Sequence, residues 1–270
     1  GQLEAEAEML AAFLAYLAYM ASATRTVEFM HLVDARQYDA AMSVIDSAVS
    51  ETLAPAVTSI SIKAGSSEIK SFDPTKAHIL AIERQSFVDR FKYDATLAMM
   101  LWLASQVRPR TVNYGLTVAQ EHAVAAYRNA LESGSRKAID TIFRDRRGDA
   151  AIRQGRPLRP DQIERMVETY RRRLIQARGD TLANIEGGRA WNVGRAAAIE
   201  QSNEQYDGVW NTVGDDRVRA SHVYMDGQVQ PFGGTYTSGL GNMLKYPHDP
   251  NAPIADTINC RCWIEYRRRT

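Results

Sequence analysis

The residues best suited to chemistry lie near the end of the sequence: His222, Asp226, His248, Asp249, Cys260 and Cys262. Thiolate and imidazole are the preferred ligands of zinc, and a closed structural site takes four of them. His222 and Asp226 are four residues apart, so they share a face if that segment is a helical turn. Together with Cys260 and Cys262 they form a candidate metal set, and structural zinc is the cofactor it implies. Only Arg261 separates the two cysteines. A disulfide across that spacing would be strained, which points to a reducing compartment. The competing reading is structural: His222 and Asp226 tie loops by hydrogen bonds, and the cysteines point to opposite faces of a strand. Catalysis is a third use of the same inventory, through a Cys–His nucleophile pair or a metal-nuclease set with Asn242 and His248. Neither sits in a local sequence specific to such an enzyme. Gly187-Gly188 and Gly233-Gly234 match no phosphate-cradling pattern. The expectation is a protein that is not an enzyme. The alternative is a metal-dependent nuclease or transferase using His222, Asp226, Cys260 and Cys262.

These residues need elements to hold them. The first stretch reads as helix, with one seam of Leu3, Ala7, Leu10, Leu14 and Leu17 beside a second of Met9, Phe13, Tyr16 and Met20. Two adjacent seams suit a helix with neighbours on more than one side, including a second copy of the chain. Ala41, Val44, Ile45 and Ala48 mark a second helix, which Pro55 should end. Alternation from Val57 onwards and Gly65-Ser66-Ser67 predict a hairpin or irregular loop as far as Phe72. Asp73-Pro74 should restart a helix running to Val107. Thr117-x-x-Gln120 has the form of a capping box and should open a helix to about Arg144. An arginine-rich link follows, then a helix from Pro160 that breaks at Gly179-Asp180, and a further helix to about Asn203. The remainder holds short β-like runs at Val209–Val213, Val229–Phe232 and Trp263–Tyr266. The expected class is α+β and mostly helical, with long N-terminal helices and a compact C-terminal domain carrying a small antiparallel sheet. The boundary falls near residue 150, dividing the chain into 1–150 and 151–270.

Among 270 residues, 33 Lys+Arg stand against 32 Asp+Glu, and 45% are hydrophobic. That composition excludes collagen-like, mucin-like and wholly disordered chains. The balance hides a polarity. Residues 1–50 carry two basic and seven acidic side chains, a net −5. Residues 136–178 carry 13 basic and six acidic ones, a net +7, and all but Lys137 of the basic set are arginine. Arginine forks suit phosphate and carboxylate, so Arg165, Arg171, Arg172, Arg173 and Arg178 are candidates for DNA or an acidic partner. Ion pairs within the helix are the equal alternative. No signal-peptide start is read at the N-terminus, and the uncharged stretch from Met9 to Thr24 is shorter than the roughly 20 residues of a membrane span.

Three spaced blocks carry a resemblance. They are Trp210…Asp216-Arg217-Val218-Arg219…His222…Asp226-Gly227-Gln228, then Tyr246-Pro247-x-Asp249-Pro250-x-Ala252-Pro253, then Thr257-Ile258-Asn259-Cys260-Arg261-Cys262. With Pro160-Asp161-Gln162-Ile163 upstream, they resemble the head-morphogenesis, or minor head protein, family of tailed bacteriophages (Mu F-like). The resemblance spans roughly Pro160 to Tyr266. It singles out Arg217, Arg219, His222, Asp226, Gly227, Asp249, Pro250, Asn259, Cys260 and Cys262 as motif residues. Asn184-Ile185-Glu186 departs from the Arg-Thr-Glu often found in that family. The resemblance implies a structural virion component, assembled in the host cytoplasm and placed in the head interior near the portal. The implied partners are the portal protein, the major capsid protein and viral double-stranded DNA, with roles in assembly, packaging or ejection.

Overall fold

The computed structural model describes residues 1–20, 28, 31–32, 35, 37–78, 80, 85, 87, 89, 116–143, 151–152 and 154–270. Helix α1 (Gln2–Met20) lies against α2 (Tyr38–Glu68). Met9, Phe13 and Tyr16 of α1 are buried with Ile45, Val49, Leu53, Val57 and Ile60 of α2. Of the other seam, Leu3 and Leu14 are exposed, while Leu10 packs against the core.

Helix α2 corrects two expectations. It does not stop at Pro55, and residues beyond Val57 form no hairpin; the helix runs through the proline for 31 residues. Pro55 sits on the exposed face, where the displaced Glu51 carbonyl can reach water. Leu53, Ala56, Val57, Ile60 and Ala64 recur at helical spacing and are buried. Each large side chain in such a stripe contributes about 1.5–3 kcal/mol. The stripe therefore outweighs the ~3 kcal/mol cost of an interior proline. The Thr58 hydroxyl donates back to the Ala54 carbonyl at 3.2 Å, so this β-prone residue is satisfied within the helix.

Asp73 caps no helix at Pro74. Pro74–Lys76 is a turn, and the Asp73 carboxylate accepts from the Thr75 N–H at 3.0 Å and its hydroxyl at 2.6 Å. Most of the continuation expected to Val107 lies outside the described residues, as do Arg144, Arg146, Arg147 and Arg153. Helix α3 (Val118–Glu132) opens on the expected capping box: Thr117 Oγ1 accepts from the Gln120 N–H at 3.2 Å, and Gln120 Oε1 from the Thr117 N–H at 2.9 Å. It ends earlier than expected, because Gly134 turns the chain at φ 66° and Ser135 caps a separate α4 (Arg136–Ile142).

Pro160 begins α5 (Pro160–Leu182), with Gln162 Oε1 accepting the Arg159 N–H. Gly179-Asp180 causes no break. Gly179 is where Leu10 and Phe13 of α1 press closest, and the helix continues through a π-helical turn (Ala183–Gly187) into α6 (Gly188–Ser202). Helix α6 crosses α2 at backbone contact. A Cβ on Gly194 would lie 2.0 Å from the Ser61 carbonyl oxygen, and the Ser61 hydroxyl donates to the Ala190 carbonyl at 2.9 Å.

The C-terminal unit holds the expected small antiparallel sheet, in the order β2 (Val229–Pro231), β1 (Tyr206–Asn211), β5 (Trp263–Arg268). Trp210 pairs with Ile264 and Val209 with Val229. A two-stranded ribbon, β3 (Tyr236–Thr237) and β4 (Met243–Leu244), and two single-turn helices, α7 (Ala220–Val223) and α8 (Ile254–Thr257), complete it. The core is small: Trp210, Met225, Tyr236, Leu244, Cys260, Cys262 and Ile264. The fold is α+β and mostly helical. Among the described residues, no helix is long and apolar enough to cross a membrane.

Candidate functional site

His222 sits in α7, whose first turn is closed by its N–H donating to the Arg219 carbonyl at 2.9 Å. Its ring is buried against the edge of Trp210. His222 Nδ1 lies 3.5 Å from Cys260 Sγ and 3.4 Å from Cys262 Sγ. All three donors fall within 4.8 Å of one another and are buried. The cysteines do not point to opposite faces of a strand: residues two apart in an extended chain share a side, and both turn inward just before β5. Arg261 between them turns outward and forms a bidentate pair with Asp215 at 2.6 and 2.7 Å. A positive φ of 52° at Asn259 makes this bend, a conformation asparagine tolerates better than most residues.

On the far side of the ring, His222 Nε2 faces Asp256 Oδ1 at 3.6 Å. Asp256 is fully buried. Its carboxylate accepts from Ser221 Oγ at 3.1 Å, Ser238 Oγ at 3.2 Å and Asn242 Nδ2 at 2.7 Å. Sequence reading passed over Asp256. Its only signal was a position four residues before Cys260, in a segment otherwise read as loop.

The two thiols share one charge. The hydrogen bond from Cys262 and then the His222 ring hold Cys260 well below the ordinary thiol range, against the effect of burial. The same Cys260 partner, followed by burial, pushes Cys262 up.

Asp226, expected in the same set, stands apart. It is exposed, and its Oδ1 accepts the Thr212 N–H at 2.7 Å. The following Gly227, at φ 76°, donates its N–H to the Trp210 carbonyl at 2.8 Å. The Asp226-Gly227-Gln228 block thus fastens the end of β1. Arg219 ties down the approach to the cysteines by donating to the Ala255 and Ile258 carbonyls. The Arg217 N–H donates to Asp215 Oδ1 at 3.1 Å.

The Tyr246–Pro253 loop is held from within. Asp249 is buried; its Oδ2 accepts the Lys245 N–H at 2.8 Å and its Oδ1 the Asn251 N–H at 2.9 Å. Half-buried Pro250 follows it. Helix α6 clamps the same loop: Arg189 Nε donates to the His248 carbonyl at 2.8 Å and Asn192 Nδ2 to the Pro247 carbonyl at 3.2 Å. Glu186, in the π-helical turn, pairs with Arg189. His248 is fully buried at φ 65°, and neither ring nitrogen has a hydrogen-bond partner at bonding distance. Burial lowers its pKa, against the pull of Cys260. Gly188 makes room for the ring, since a Cβ there would lie 2.5 Å from His248 Cδ2. Asn184 Nδ2 reaches both Glu6 Oε1 (3.2 Å) and the Cys260 carbonyl (3.4 Å), joining α1 to the cysteine turn.

The arginines of α5 lie elsewhere and are engaged. Arg165 pairs with Asp161 at 2.8 Å, Arg171 with Glu121 of α3 at 3.0 Å, and Arg172 with Glu168 at 3.6 Å. Arg173 stacks over the Phe143 ring at 5.2 Å. Arg178 lines an open cleft, about 640 Å³, between α5 and the Tyr246–Pro253 loop.

Two comparisons, with curated proteins and with solved structures, return no match. A third does. Residues 149–265 match the family model described as phage Mu protein F like protein, and this span contains the His222–Cys260–Cys262 cluster, the clamped loop and the sheet. Over residues 149–265 the chain is therefore similar to the phage Mu protein F-like family, a family of phage head proteins.

Proposed function

We propose that the chain is a minor head protein of a tailed bacteriophage, built into the head interior beside the portal and acting in head assembly, packaging or ejection. The match of residues 149–265 to the phage Mu protein F-like model carries this reading. The site supports a structural role: His222, Cys260 and Cys262 are each no more than 2% exposed, so no substrate reaches them. The partners are the portal protein and the major capsid protein, with viral double-stranded DNA nearby. The exposed Leu3 and Leu14 side chains of α1 are the surface offered to a second copy or to the portal.

Cryo-electron microscopy of intact particles, with density assigned to this chain, tests the placement. Density beside the portal on the inner face of the head is the expected result. Density confined to the tail or the outer capsid surface would overturn it. The DNA contact is tested separately. Arg172 is 69% exposed at its side chain, whereas Arg171 is 25% exposed and braces α3. Arg172→Ala should lower duplex affinity and flatten its salt dependence. An unchanged salt slope would remove DNA from the partners.

A further inference from the structure

The cysteine cluster has a spacing that hydrogen bonding does not account for. One nitrogen, His222 Nδ1, faces two sulfurs at nearly equal distance, 3.4 and 3.5 Å. A neutral imidazole nitrogen offers one proton or one lone pair, which serves one partner well. Three donors converging on one point suit a single central ion. Zn–S bonds of about 2.3 Å and Zn–N bonds of about 2.0–2.1 Å, at tetrahedral angles, separate S and N by about 3.5 Å. That edge length is the one found here.

We propose that the C-terminal domain closes around one structural zinc ion, held by His222 Nδ1, Cys260 Sγ and Cys262 Sγ, with the buried His248 ring, which lies outside that 4.8 Å set, moving in as the fourth donor. Two thiolates and imidazole in a tetrahedral frame select zinc over magnesium or calcium, which prefer oxygen. Asp256 stands behind His222 on the opposite ring nitrogen, the carboxylate–histidine–metal arrangement that directs the other nitrogen to the ion. Asp256 is itself fixed by three side-chain donors, so it is a positioning residue. His248 is fully buried beside the Thr257 backbone and interacts electrostatically with Cys260. The surroundings are built to present the sulfurs. Arg219 holds the Ala255 and Ile258 carbonyls, and Asn184 reaches the Cys260 carbonyl. The need is also physical, because the seven-residue core around Trp210 is small and a metal staple adds folding energy directly.

Metal content of the full-length chain, purified without chelator and refolded with zinc or cobalt, tests this. One metal per chain is expected. The cobalt form should show a thiolate charge-transfer band and the intense visible absorption of a tetrahedral site. Less than stoichiometric metal in the unmodified chain, or an octahedral cobalt spectrum, would overturn the site without recourse to any variant. Cys260→Ser and Cys262→Ser should each remove stoichiometric binding, while Asp226→Ala should retain it. Asp256→Asn should weaken zinc affinity by about 10–100-fold with the cobalt spectrum unchanged. An unaltered tetrahedral spectrum in His248→Ala would overturn His248 as the fourth ligand. These readouts concern metal alone and are independent of where the protein sits in a phage head.

Discussion

Asp256 lies 3.6 Å from His222 Nε2 and accepts hydrogen bonds from three other side chains, with no exposure to solvent. Asp256→Ala would leave Ser221, Ser238 and Asn242 without their acceptor. A loss of about 3 kcal/mol is expected, since each orphaned buried donor carries a desolvation cost. Asp256→Asn should cost less. Urea unfolding of both variants gives the comparison, and equal, near-zero losses would refute the account.

Glycine 194 marks the crossing of α2 and α6. Gly194→Ala puts a methyl 2.0 Å from the Ser61 carbonyl, where backbone rather than a side chain must yield. Overpacking of this kind costs about 1–3 kcal/mol or more. Gly134→Ala is the control: its φ is 66° but a Cβ meets nothing within 4 Å, so only about 1 kcal/mol of backbone strain applies. Thermal melting should rank Gly194→Ala well below Gly134→Ala.

The Asp249 carboxylate organises the Tyr246–Pro253 loop through the Lys245 and Asn251 N–H groups. Asp249→Ala is expected to destabilise by about 1.5–3 kcal/mol, the range for hydrogen bonds to a charged group. Hydrogen exchange should accelerate at the Lys245 and Asn251 amides first. Unchanged protection at both would contradict the assignment.

Arg128 of α3 makes a bidentate pair with Glu164 of α5, with its Nη2 2.8 Å from Glu164 Oε2. The hydrogen bond from Arg128 lowers the Glu164 pKa. A depressed carboxylate pKa gives stability that is present above the unfolded value, near 4.5, and is lost as pH falls through the folded value. Both groups are substantially exposed, so screening limits the contribution to below about 1 kcal/mol. Arg128→Gln should be slightly less stable at neutral pH and match the parent at about pH 3. A difference that persists in acid would rule the pair out as its source.

Much of this was legible in the sequence because the signals are local. Thr117 and Gln120 satisfy each other within one turn, and Pro160 needs only its own ring to favour the first helical position. Pro55 misled because its cost is local while the burial of Leu53, Val57 and Ile60 comes from distant helices. Gly179 misled in the same way, since contact with α1 explains it better than a chain break. In the site, His222, Cys260 and Cys262 were visible by residue type. Asp226 enters the expected set through its four-residue spacing from His222, whereas α7 ends at Val223 and sends Asp226 to the end of β1. Asp256 reaches His222 from 34 positions away, through a loop whose path no local pattern encodes.

The π-helical turn at Ala183–Gly187 has a consequence for how the long helix is read. A π turn accommodates one extra residue, and one residue is about 100° of rotation. The side of the helix that carries Arg172 and the side that carries Arg189 and Asn192 are therefore set relative to each other by a count. Deleting a single residue between 183 and 187 would leave the hydrogen bonds of α5 before its last turn intact. It would also swing the clamp residues of α6 by more than a quarter of a circle, away from the loop they hold. The turn acts as an offset written into the chain, dividing one continuous rod into two surfaces that face different neighbours.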